Sequence, residues 1–381
     1  MLDDERNDPT NDERFMPPTG PQSVPEITNE GAADYEGDPP AGLGELVNER
    51  VEQPAEAGTL APADRIDLEE LHQAAINVRR EIGKLVVGQR AFIDLLIASL
   101  LAGGHILVEG VPGIAKTLTA RLLAKTVDAD YARIQFTPDL MPSDVTGTTV
   151  FNMTESRFEF KQGPIFTNIV LIDEINRAPA KTQAALFEVM AEQQITVDGS
   201  TYELDAPFFV IATQNPIEQE GTYRLPEAQL DRFLVRAIID YPNQEEERDI
   251  LYRFRSDFKQ SQQNDVQAVF TRELVAKYSA LVEKIFIRDE LLDYIANLVH
   301  RTRTHPDLYL GASPRASLGI LRLSKAVAAL AGRDFVTPDD IQQVAYPVLN
   351  HRIILTPERE MEGISTDDVI KDILRAIEIP R

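Results

Sequence analysis

The sequence predicts an α/β protein: a parallel sheet flanked by helices, followed by a helical second domain and preceded by an acidic tail. Three observations predict it. Five short apolar runs, at 106–108, 132–136, 169–172, 208–212 and 235–239, alternate with stretches of helical spacing, the pattern of strands joined by crossover helices. After Pro242 the strand signals largely stop, and 244–381 reads as helices. Residues 1–64 hold nine of the 24 prolines and 16 Asp and Glu against three Arg, a composition that cannot bury enough apolar surface to order itself. The expected domains are a disordered acidic tail over 1–64, a sheet-containing core over 65–242 and a helical domain over 243–381.

Order is expected to begin near Asp67. Asp67 and Glu70 have the spacing of a capping box ahead of Leu68, Leu71, Ala75, Val78, Ile82 and Leu85, which recur at helical intervals. Residues 194–204 alternate across Asp198-Gly199, a turn pair that predicts a β-hairpin beside the core. In the helical part, Ser313-Pro314 and Thr337-Pro338 mark starts, each a capping residue followed by proline at the first helical position. No internal repeat is visible.

With 381 residues the chain has room for two or three domains and a sizeable core. It has no cysteine, which removes disulfides, thiolate ligands and cysteine nucleophiles together and suits a reducing compartment. The start Met-Leu-Asp-Asp-Glu lacks the basic and apolar regions of a signal peptide, and the most apolar stretch, 92–108, is broken by Asp94 and Gly103-Gly104-His105. A cytoplasmic protein without a transmembrane segment is expected. The net charge of -24 disfavours nonspecific attraction to nucleic acid or anionic lipid. The five histidines show no ligand spacing that would hold a metal.

The run Gly110-Val111-Pro112-Gly113-Ile114-Ala115-Lys116-Thr117 follows an apolar strand and opens a helical stretch, the context a phosphate-binding loop requires. In such a loop backbone N–H groups surround the phosphates of ATP, Lys116 reaches the β and γ oxygens, and the Thr117 hydroxyl ligates Mg²⁺. Ala115 stands where the general motif has its second glycine. The strand 169–172 ends in Asp173-Glu174; Asp173 suits the Mg²⁺ shell, and Glu174 suits a base that orients and deprotonates the attacking water. A third strand ends in Thr213-Gln214-Asn215-Pro216, where the Asn215 amide is suited to lie between the γ-phosphate and the water. Gln135 and Arg177 lie near by motif order and are assigned no role.

The segments Gln135-Phe136-Thr137-Pro138-Asp139, Asp173-Glu174-Ile175-Asn176-Arg177-Ala178-Pro179, Ala212-Thr213-Gln214-Asn215-Pro216 and Leu225-Pro226-Glu227-Ala228-Gln229-Leu230-Asp231-Arg232-Phe233 resemble the MoxR family of AAA+ ATPases. The resemblance extends over residues 68–375, and Ala115 before Lys116 conforms to it; Arg224 departs from it. It implies a P-loop NTPase core of the AAA+ type, five parallel strands in an αβα sandwich with a hairpin insertion, capped by an all-α lid. It also implies assembly into a homo-oligomeric ring, a hexamer. By position, Asn215 matches sensor 1, Arg232 the arginine finger, and Arg315 in Gly311-Ala312-Ser313-Pro314-Arg315 the lid sensor 2. The implied partner is a protein client, in this family often one carrying a von Willebrand factor A domain, which the ATPase matures or remodels.

Two other function classes stay open at this level. One is a helicase or loader acting on nucleic acid. Against it, Arg157 and Lys161 in the insertion 148–164 are offset by Glu155 and Glu159, and the hairpin 194–204 has no basic residue, whereas a loop that tracks a strand is basic or aromatic. The other is a nucleotide-dependent binding module with incidental turnover, against which the complete set of hydrolytic residues argues. Deleting residues 1–64 is expected to leave ATP turnover and melting temperature close to those of the full chain, and a large fall in either means that the tail docks on the core.

Overall fold

In a computed structural model of the chain, residues 65–111, 113–215, 222–223, 225–255 and 265–380 are described, and all fall within one compact unit, Ala57–Arg381. The expected tail, 1–64, lies outside them, as do Pro112, Pro216 and Arg224. Five strands form the central sheet: β1 Ile106–Gly110, β2 Tyr131–Gln135, β3 Ile169–Asp173, β4 Phe209–Gln214 and β5 Val235–Ile239. Their order is β2-β3-β4-β1-β5, every pairing parallel.

The apolar runs form strands because both faces of the sheet are covered. Alternate residues serve opposite layers: Ile106, Val108, Ile169 and Leu171 pack with Leu71, Val78, Ile82, Leu96 and Leu123, whereas Leu107, Val170 and Ile172 pack with Leu186, Phe187 and Phe233. On the edge strand β2 only Ile134 is buried, and the polar Arg133 and Gln135 stand beside it. Because all five strands run the same way, the carboxyl ends of β1, β3 and β4 lie side by side and deliver Gly110, Asp173 and Gln214 to one edge, where ligands bind in such sheets.

The first helix, Glu69–Gly83, buries Leu71, Ala75, Val78 and Ile82. Its expected capping box does not form, because the helix starts one residue later, with Leu68 at the cap position. The Asp67 carboxylate accepts from the Glu69 N–H at 3.0 Å, but Glu70 turns away to the Lys277 ammonium at 2.8 Å on the helix Arg272–Glu283. Strands Gln194–Val197 and Ser200–Glu203 form the expected hairpin, with Asp198 and Gly199 both at positive φ, 50° and 80°, as a type I′ turn requires. A second hairpin pairs Gly147–Asn152 with Arg157–Gln162. The two are joined: Thr149 Oγ1 donates to Asp198 at 2.6 Å, and the Phe160 and Tyr202 rings stack with centroids 4.5 Å apart.

The lid holds the helices Gln244–Phe254, Arg272–Glu283, Asp289–Thr304, Pro314–Leu330, Pro338–Leu349, Pro357–Met361 and Thr366–Ala376, with one short ladder between Leu308–Leu310 and Ile354–Leu355. Its two expected starts are present. The Ser313 hydroxyl accepts from the Arg315 N–H at 3.2 Å, and the N–H and hydroxyl of Thr337 donate to Asp340 at 2.8 and 2.9 Å. The lid meets the core through His351 and Arg352, which reach the carbonyl groups of the segment leading into β5. No helix among the described residues is long and apolar enough to cross a membrane.

His105 enters β1 fully buried. Its Nδ1 accepts from the Val210 N–H at 3.1 Å, which leaves Nε2 as the donor to the Met190 carbonyl at 3.1 Å. Burial pushes its pKa down to about 4. Between that value and the ordinary 6.5 the unfolded chain takes up a proton that the folded chain refuses, so stability rises with pH across this window. This contribution is complete above pH 6.5 and falls away as the pH drops to about 4, by roughly 3 kcal/mol. Burial lowers His351 in the same direction. Urea midpoints measured from pH 7.5 to 4.5 should fall more steeply for the wild type than for His105→Gln, and parallel slopes would remove His105 from the account.

Candidate active site

The loop 110–117 links β1 to the helix Lys116–Thr126, and its shape dictates its residues. A side chain on Gly110 would put a β-carbon 2.5 Å from the Ile239 carbonyl oxygen, so only glycine lets β1 end against β5. Gly113 has φ +87°, and a β-carbon there meets no atom within 4 Å; its backbone faces open space. Ala115 also adopts the left-handed conformation, φ 61°, ψ 20°, at a cost of about 1–2 kcal/mol for a residue with a β-carbon. The methyl group at this motif position therefore carries backbone strain as well as bulk. From outside the loop, Gln89 donates to the Ile114 carbonyl at 2.7 Å, so the cap residue of the helix Arg90–Leu101 touches the loop directly.

Lys116 sits half-buried, with Nζ donating to the Gly110 carbonyl at 2.6 Å. Burial lowers its pKa, and the negative charges of Asp173, Glu109 and Glu174 oppose that shift. Asp173 ends β3 and is almost wholly buried. It accepts from Thr213 Oγ1 at 3.1 Å and from the Arg133 Nε–H. The hydrogen bond to Asp173 raises the pKa of Arg133.

Glu174 follows in the left-handed region, φ 57°, ψ 52°, a strained setting for a residue with a side chain. Its N–H donates to Thr213 Oγ1 at 3.0 Å, so one hydroxyl fixes both neighbouring acids. The Glu174 Oε2 accepts from Gln135 Nε2 at 2.8 Å and pairs with Arg177 Nε at 2.9 Å. Strand register explains the first contact, since Gln135 stands opposite Asp173 in the β2–β3 pairing.

Seven of the expected site residues, Gly113, Ala115, Lys116, Thr117, Asp173, Glu174 and Asn215, line one cavity of about 430 Å³, a size that suits a small-molecule ligand. Gly110, Val111 and Ile114 form the rest of the same loop, and Pro112 lies outside the described residues. Arg232 and Arg315 do not line this cavity. Both line another, of about 380 Å³, in which Arg315 lies 3.4 Å from Asp231, while Arg232 donates to the Phe187 carbonyl at 2.8 Å. Sequence reasoning missed Arg133 and Thr213 and assigned nothing to Gln135 and Arg177. The available signals were the alternation Arg133-Ile134-Gln135 at the end of β2 and, for Thr213, its place as the first polar residue after the apolar run of β4.

The residues fit a magnesium nucleotide. Thr117 and Asp173 present hard oxygen donors to the same cavity as the Lys116 cation. The described residues contain no cluster of three or more His, Cys, Asp or Glu able to hold a metal. A hard ion held by one carboxylate and one hydroxyl needs water and phosphate oxygens for the remaining positions, the usual coordination of Mg²⁺.

Residues 105–235 match the family described as "ATPase family associated with various cellular activities (AAA)", and residues 300–373 match the AAA lid domain. The chain is 46% identical over 312 residues to the uncharacterized protein YeaC of Bacillus subtilis, covering 82% of this chain and 97% of that one. It is 41% identical over 310 residues to the chaperone MoxR1 of Mycobacterium tuberculosis, covering 79% and 81%. A crystal structure of a candidate ATPase from Cytophaga hutchinsonii superposes with a TM-score of 0.74 at 45% identity, covering 82% of this chain and 99% of that one. Replacing Ala115 by glycine should relieve the left-handed strain and raise stability by about 1 kcal/mol; an unchanged or lower denaturant midpoint would show that the methyl group is held there by favourable packing.

Proposed function

Because the chain belongs to the MoxR family of AAA+ ATPases, we propose that it hydrolyses ATP in a ring of identical subunits, a hexamer, and spends that energy remodelling a client protein in the cytoplasm. One observation carries the reading: Lys116, Thr117, Asp173, Glu174 and Asn215, from three separate strand ends, line one cavity.

Lys116 exchanges the Gly110 carbonyl for the β and γ oxygens of the nucleotide, and the loop N–H groups around Gly113 take the remaining phosphate contacts. Thr117 and Asp173 would hold Mg²⁺, which would supply neutralisation of the charge on the phosphate oxygens. Glu174 takes a proton from the attacking water, and Asn215 positions that water against the γ-phosphorus. Gln135 and Arg177 both meet Glu174 at Oε2, so Oε1 is the oxygen left to accept the proton. Gln135 is thus a positioning residue that orients the base.

Arg232 and Arg315 line a cavity separate from the one that holds Lys116. That separation supports their acting on the nucleotide of a neighbouring subunit, Arg232 on transition-state charge and Arg315 as a lid contact that couples hydrolysis to lid movement. A finger supplied in this way is worth roughly 10³ to 10⁵ in rate. The client reading is supported by the similarity to the chaperone MoxR1, and a von Willebrand factor A domain is the proposed client module. The hairpin charges do not favour the nucleic-acid alternative, since Arg157 is bound to Glu155 and Glu159, whereas the aromatic part of its signature is present in the exposed Phe151 and Phe158.

Lys116→Ala should lose most ATP affinity, whereas Glu174→Gln should keep ATP bound, lose turnover and retain clients in a pull-down. Near-normal nucleotide binding by folded Lys116→Ala would move the site elsewhere. Arg232→Ala should bind ATP and turn it over at least a hundred-fold more slowly. Mixing it with Lys116→Ala subunits, after crosslinking has established that the two share rings, should partly restore turnover; mixed rings no faster than the separate variants would confine Arg232 to its own subunit or to a structural role.

A further inference from the structure

The cavity beside Asp231 contains more positive charge than the roles assigned so far account for. Four arginines line it, at 232, 315, 322 and 352, against a single carboxylate, Asp231. That carboxylate is committed. Arg352 Nε donates to it at 2.8 Å, Ser313 Oγ at 2.9 and 3.1 Å, and Arg315 Nη1 at 3.4 Å. His105, on the same wall, adds no cation, since burial holds it neutral at physiological pH.

Arg322 is left over. It makes no hydrogen bond or ion pair with any described residue. It lies on the helix Pro314–Leu330, seven residues beyond Arg315, hence nearly two full turns on and about 10.5 Å further along the same face. Leu318, 55% exposed, lies between them. Two guanidinium groups so spaced face different parts of an elongated anion. In a chain of net charge -24, a cluster of cations left unneutralised in a concave site is the expected footprint of such an anion.

We propose that Arg322 binds the non-transferred phosphates of the nucleotide held by the neighbouring subunit, one helix face thus gripping the polyphosphate at two points, Arg315 at its end and Arg322 along its length. The inference rests on the reading that this cavity faces a neighbour's site. It adds a residue whose contact survives hydrolysis: Arg315 loses its partner when the γ-phosphate departs, whereas Arg322 keeps its own. Arg322 therefore sets how firmly a ring holds ADP between turnovers.

The test measures equilibrium binding of ATP and of ADP to assembled rings in the Glu174→Gln background. Arg322→Gln should weaken both nucleotides about ten-fold and to the same degree, the loss expected for one charge-assisted hydrogen bond. Arg315→Gln should weaken ATP more than ADP, and Arg322→Lys should recover part of the lost affinity. Mixing Arg322→Gln with Lys116→Ala subunits that keep Arg322 should restore the affinity of the competent sites. Loss of ATP affinity alone would put Arg322 on the transferred phosphoryl group. Unchanged affinities in rings of wild-type size would make it a surface cation, and loss of rings by sizing would make it a contact between proteins; each overturns the proposal. Failure of Arg232→Ala subunits to be rescued would sink the shared-site reading itself, whereas rescue there with no effect of Arg322→Gln would sink this inference alone.

Discussion

Arg352 is the point on which the two halves of the molecule turn. Its side chain is 3% exposed, and all five of its N–H groups are used: on the Asp231 carboxylate, on the carbonyls of Asp231, Phe233 and Leu234, and on the carbonyl of Val348 in the helix Pro338–Leu349 that precedes it. A buried guanidinium is tolerated only with such complete satisfaction, and removing one partner would leave an uncompensated charge in the interior. The segment it grips, 231–234, leads directly into β5. The same carboxylate receives Ser313 at the start of the lid helix that carries Arg315 and Arg322. One ion pair therefore sets where the lid lies on the sheet and where three arginines point.

A second cluster joins the ends of β2, β3 and β4. Asp173 and Glu174 are adjacent acids, yet each has its own cation, Arg133 and Arg177 respectively, and the two share the Thr213 hydroxyl between side chain and backbone. Each carboxylate thus has a guanidinium beside it, which offsets the repulsion expected between neighbouring acids.

Much of this was legible in the residue order, and the reason is local. Continuous apolar runs ending in polar residues locate β1, β3 and β4 and their functional ends, because burial on both faces leaves no other pattern. Asp198-Gly199 marks its hairpin because both positions need positive φ. The hairpin 147–162 escaped as a hairpin because Thr154-Glu155-Ser156 carries no glycine to announce the turn, even though Ser156 takes φ 52°. Ala115 and Glu174 were recognised by motif, but their left-handed backbones are dictated by the loop and strand ends around them. The Asp231–Arg352 pair joins residues 121 positions apart, and no local period or propensity encodes such a meeting. Gln135 waited on register, since a strand-end glutamine acquires its role only when β2 settles against β3 at Gln135 and Asp173.

The stacked rings of Phe160 and Tyr202 fasten two hairpins that enclose, in the chain between them, β3, both acids and the helix Ala180–Glu192. In kinematic terms this stretch is a closed linkage with the ring stack as its clasp. Asp173 and Glu174 ride on one bar of it and the paired hairpins on another. A closed linkage has fewer independent motions than an open chain of the same length, so a shift of β3 at its carboxyl end is expected to carry both hairpins together rather than one alone.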